Sequence, residues 1–120
     1  MFSHVRIGSN DLAKSRAFYD NVLGALGIRG QDLGEVLLYE QGGNRFVVAA
    51  PREGAAVRGN GGTIGFNAQS AEAIDKFHAA GLANGGSCEG APGPRTYVEG
   101  LYAAYLRDPD GNKICAVIYR

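Results

Sequence analysis

The chain has 120 residues, with Lys plus Arg and Asp plus Glu balanced at 12 each and a formal net charge of zero. That length buries one core rather than two independent ones. The neutral balance argues against nucleic acid or an anionic membrane as partner, either of which would need a basic patch, and no apolar run approaches the ~20 residues of a membrane span. The first residues, Met1 to Arg6, enter a strand pattern at once and have no signal-peptide architecture. Two cysteines stand in unlike settings, Cys88 in a glycine-rich stretch and Cys115 in an apolar strand, and nothing requires a disulfide. These features predict a reduced, soluble, cytoplasmic domain.

From His4 to Ile7 the chain alternates, with Val5 and Ile7 on one side and His4 and Arg6 on the other. Ser9 or Asn10 is placed to cap a helix, and Asp11 favours its positive end. Leu12, Phe18, Tyr19, Val22, Leu23 and Leu26 follow at helical spacing, and Gly24 or Gly27 closes the run. A short strand near residues 28–33 is weakly marked. Strands at 34–40 and 45–50 flank Gln41-Gly42-Gly43-Asn44, a hairpin loop. Residues 51–62 carry no periodicity and read as a linker.

The pattern then begins again. Residues 63–67 alternate like the opening strand, and Ser70 caps a second helix with Ile74, Phe77 and Leu82 on its apolar face. His78, beyond Phe77, reads as solvent-facing. A shift of 59 positions carries His4 onto Thr63, Ile7 onto Phe66, Phe18 onto Phe77, Leu23 onto Leu82 and Gly27 onto Gly86. An internal repeat of this kind outweighs any single motif. After a loop at 90–94, strands are expected near 96–98, 102–107 and 114–119. Between the last two lies Asp108-Pro109-Asp110-Gly111-Asn112. Pro109 sets the first corner of this hairpin, Asp108 can bond the turn backbone, and Gly111 supplies a positive φ.

These signals predict one α+β domain, residues 1–120, built of two βαβββ modules at about 1–55 and 60–120. The sheets are mixed and curled, the helices lie on the outer face, and the concave face is free for a ligand. With its opening His4-Val5-Arg6-Ile7 module, its mid-chain Gly59 to Phe66 entry and its closing Tyr102 to Ile114 hairpin, nearly the whole chain resembles the vicinal oxygen chelate superfamily. This group contains glyoxalase I, bleomycin-resistance proteins and extradiol dioxygenases.

The resemblance implies a cleft in which metal-dependent members hold one divalent ion on two His and two Glu, leaving positions open for substrate oxygens. Carried over residue by residue, His4 is the only family ligand type retained. The first-module partner falls at Val47 or Val48, Thr63 stands at the second His, and Cys115 replaces the final Glu. The resemblance therefore implies no confident cofactor, a homodimer, and a cleft lined by His4, Thr63, Tyr97, Tyr102 and Cys115. Arg95 and Glu99 belong to the same overhanging loop. Lys113 shares a sheet face with Cys115 and could lower its pKa, although a mid-strand cysteine is more often a packing residue. Asn60-Gly61-Gly62 lacks the Lys-Ser or Lys-Thr of a phosphate loop. The Glu residues at 35, 40, 53 and 72 have no partner at catalytic spacing.

Three functions are open on these residues. The first is a metal-independent protein that binds a small organic molecule. The second is a divalent-metal-dependent lyase or dioxygenase, similar to lactoylglutathione lyase, acting on a small oxygenated substrate. The third is an interaction module that kept the fold and lost the chemistry. Loss of ligands at three of four positions ranks the first above the second.

Overall fold

The computed structural model describes residues 1–120. Each half runs strand, helix, then three strands. The first half contains β1 (Val5–Gly8), α1 (Leu12–Gly24), β2 (Arg29–Asp32), β3 (Val36–Gln41) and β4 (Asn44–Ala49). The second contains β5 (Ile64–Asn67), α2 (Ala71–Ala83), β6 (Ser87–Pro94), β7 (Leu101–Arg107) and β8 (Lys113–Tyr119). The repeat is exact in its opening elements: the shift of 59 carries β1 onto β5 and α1 onto α2 end for end.

Each half forms its own four-stranded mixed sheet, in the orders β1-β4-β3-β2 and β5-β8-β7-β6. The first strand of each half pairs parallel with the last, and the remaining pairs are antiparallel. No strand of one sheet is hydrogen-bonded to the other, so the eight strands do not close into a barrel. The helices pack on one another, each also covering its own sheet. Phe18, Tyr19, Val22 and Leu23 of α1 meet Ile74 and Phe77 of α2 in a continuous fifteen-residue core.

The helix caps follow local chemistry. Asp11, rather than Ser9 or Asn10, is the cap of α1, its carboxylate accepting from Lys14 N at 3.1 Å. Ser9 is instead buried and bonded to Ser15. Ser70 caps α2 as the sequence indicates. Gly42 and Gly43, with φ of 58° and 82°, make the tight hairpin of β3 and β4.

Several expectations are corrected in the second half. Residues 90–94, expected as a loop, belong to the edge strand β6, and Cys88, expected in a glycine-rich stretch, lies on the same strand. Two register shifts in its pairing with β7 accommodate Gly90, Pro92 and Gly93. Bulges and prolines of this kind are tolerated only where one side of a strand is free. Residues 96–98 form a turn rather than a strand. Leu82 is 48% exposed although its counterpart Leu23 is fully buried. Gly81 in the preceding position lets Leu106 reach the helix backbone, where any Cβ would lie 2.4 Å from that side chain. His78 is buried, not solvated, with its Nε2 3.2 Å from Cys88 Sγ.

Candidate functional site

The parallel pairing fixes which residues of the two halves are equivalent. Arg6 lies opposite Val47 on β1 and β4, and Gly65 lies opposite Cys115 on β5 and β8. Since the repeat carries Arg6 onto Gly65, Val47 is the first-half counterpart of Cys115. Val48 points the other way and is fully buried in the core. The two positions where the resemblance would place carboxylates thus hold an isopropyl group and a thiol.

Burial raises the Cys115 thiol above its usual range, and the charges of Lys113 and Arg95 only partly oppose this. Cys115 is 6% exposed and pairs across to Tyr105 on the face of the second sheet away from α2. It is a packed, protonated residue rather than an activated nucleophile. Thr63 is exposed just before β5. His4 is exposed just before β1, its Nδ1 2.8 Å from Ser3 Oγ. No three His, Cys, Asp or Glu side chains gather anywhere into a set that could hold a metal ion. The donors present do not fit the family's metal.

The two expected tyrosines lie on opposite faces. Tyr102 turns toward the helices: its hydroxyl donates to Asp75 of α2 at 2.7 Å, and Arg120 stacks 4.8 Å from its ring. Strand alternation is the reason, since Tyr102, Ala104 and Leu106 share the core side of β7. Tyr97 lies on the other side, with its hydroxyl 2.9 Å from that of Tyr105. This bond, with partial burial, pushes Tyr105 up to about 12. Arg95 and Lys113 each stand 5.4 Å from the Tyr105 ring, a cation–π arrangement, while Arg95 also donates to the carbonyls of Ala91 and Gly93. Tyr97, Arg95, Lys113 and Cys115 therefore share one neighbourhood around Tyr105. His4, Thr63 and Tyr102 lie apart from it.

A pocket of about 290 Å³ lies instead at the seam of the two halves. Its apolar wall is made by Val5, Ile28, Phe46, Ile64 and Phe66. Phe46 and Phe66 meet edge to face across the seam at 5.2 Å. Of the sequence-expected residues only His4 lines this pocket. Apolar side chains on the helix-facing side of β1 and β5 were the available signal, but the same pattern reads equally as core. The size sits at the low end of small-molecule sites.

Two four-stranded sheets built from repeated βαβββ units, each with a helix on one face and with a pocket at their seam, define a paired-module α+β fold. The profile of the Glyoxalase/Bleomycin resistance protein/Dioxygenase superfamily matches residues 1–116, and the chain belongs to that superfamily. It is similar to a glyoxalase/bleomycin resistance protein from Albidiferax ferrireducens T118, with 53% identity over 98% of each chain and a TM-score of 0.91. A lactoylglutathione lyase from Agrobacterium tumefaciens shares the fold at 20% identity, over 98% of this chain and 92% of that one, with a TM-score of 0.66. A fosfomycin resistance protein from Mesorhizobium loti does so at 16% identity, over 100% and 92%, with a TM-score of 0.72. No curated protein matches the chain. No helix is long and apolar enough to cross a membrane.

Proposed function

We propose that this member of the superfamily binds a small organic molecule without using a divalent metal. The observation that supports this most is the equivalence of Val47 and Cys115. A hydrocarbon and a buried protonated thiol stand where hard oxygen donors would be needed. Thr63, a neutral hydroxyl, stands at a third position. The retained His4 opens on the seam pocket, where an imidazole serves as a hydrogen-bonding group. We take the protein to act as a homodimer, since no helix packs on the face of the first sheet away from α1, where Leu38 and Val47 are half-buried.

The test is a thermal-shift screen of small oxygenated organic compounds with a chelator in excess. Saturable stabilisation by one compound class, undiminished by the chelator, is expected. Ligand binding that appears only after adding a divalent metal would overturn the reading and favour the metal-dependent lyase or dioxygenase.

A further inference from the structure

The seam pocket carries information about its ligand, an inference that rests on the small-molecule reading above. Three ionisable side chains line it: His4, Tyr39 and Arg45. Arg45 stands at the exposed rim and is paired there with Glu40, its Nε 2.8 Å from Glu40 Oε2. Tyr39 spends its hydroxyl on Asp20 at 2.7 Å. No Asp, Glu or Lys lines the pocket. The remaining polar side chains are the neutral ones of Ser3, Gln41, Asn44 and Asn67.

The backbone adds neutral groups of the same kind. β1 pairs only with β4 and β5 only with β8, so each is an edge strand with one side free of ladder bonds. Residues 64–67 of β5 and residues 4 and 5 at the start of β1 border the pocket together. Edge peptide groups offer N–H donors and C=O acceptors in alternation, which suit a carbonyl or a hydroxyl. The wall behind them is aromatic and aliphatic. An anion or cation placed against that wall would shed water where the one charged side chain, Arg45, sits out at the rim beside Glu40, which is unfavourable.

We infer that the seam pocket takes an uncharged molecule, one ring or a fused ring pair bearing a single carbonyl or hydroxyl group. Its apolar body rests on Phe46, Phe66 and Ile28, and its polar group meets the neutral rim around Asn44 and the free edge of β5.

Three matched probes test this: 2-naphthol, 2-naphthoate and the 2-naphthylmethylammonium cation, followed by backbone-amide NMR titration at neutral pH. 2-Naphthol is expected to shift the amides of residues 44–46 and 64–67 and to bind at least about tenfold tighter than either ion, ~1.4 kcal/mol. Ile28→Trp, which fills the pocket, should abolish those shifts. Asn44→Ala, at the exposed rim, should weaken binding several-fold with the fold intact. Equal or tighter binding of naphthoate at the same amides would overturn the charge selectivity while leaving small-molecule binding in place. Shifts centred on Tyr105 and Cys115 would overturn the location. If none of the probes shifts the seam, the inference falls. The small-molecule reading falls as well only if the chelated screen also finds no ligand.

Discussion

The phenol of Tyr19 on α1 donates to Asp108 Oδ2 at 2.6 Å, joining residues 89 positions apart in sequence. Asp108 is 4% exposed, and its two oxygens serve both halves of the chain. Oδ1 accepts from the backbone N–H of Asp110 and of Asn112, which shapes the hairpin. Oδ2 accepts from Tyr19 and from the side-chain amide of Asn112. That Asn112 amide also donates to Gly8 O, and Asp110 accepts from Asn10 N. The closing hairpin is therefore a polar clasp that fastens the second half onto the first.

Tyr19→Phe removes one bond to this carboxylate without emptying the core. Hydrogen bonds to charged groups contribute about 1.5–3 kcal/mol, so a loss in that range is expected. Asp108→Ala should cost more, because it strips the acceptor from two backbone N–H groups as well. Urea denaturation of the two variants checks this. An Asp108→Ala variant as stable as the native chain would show that the clasp holds nothing.

The same contact links stability to alkaline pH. Burial first, then the neighbouring charge of Asp108, raises the Tyr19 pKa well above 10.0. A raised folded-state pKa means the unfolded chain loses this proton first as pH rises. The contribution is thus complete below the unfolded value of ~10 and is lost above it. Tyr39, raised by burial and its bond to Asp20, acts in the same direction. Melting temperature should fall steeply above pH ~10, and less steeply in Tyr19→Phe. An identical alkaline slope in the variant would remove Tyr19 from the account.

The two thiols should report the topology directly. Cys88 is exposed on an edge strand, and Cys115 is buried, with its pKa raised by that burial. A thiol-reactive disulfide reagent should label Cys88 quickly in the native protein and Cys115 only after unfolding. Fast labelling of Cys115 would mean that its sheet face opens far more readily than the packing implies.

The repeat was legible because the same apolar spacing recurs in both halves, and Phe18 and Phe77 are both fully buried. The closing hairpin was legible because its turn residues act locally: Gly111 has φ of 89° and Asp108 bonds its own turn. Strand β6 was not. Gly90, Pro92 and Gly93 signal a break, and only an edge position beside β7 lets them remain in a sheet. Gly27 and Gly86 occupy equivalent places for different reasons. Gly27 has φ of 79° in open space, whereas a Cβ on Gly86 would lie 2.4 Å from Phe18 Cε1, across the module boundary. The seam pocket was hidden for a related reason: Phe46 and Phe66 stand on separate sheets, and their contact depends on how the halves dock.

Whether ligand binding here depends on a metal is decided by calorimetric melting of the native protein with Ni, Zn, Mn or Fe(II). A metal present at 100-fold excess over its dissociation constant stabilises a folded chain by about 2.7 kcal/mol. No such displacement is expected, and no stoichiometric metal in the purified protein. A shift of that size, abolished by His4→Ala, would contradict this expectation and restore a metal centre built on His4.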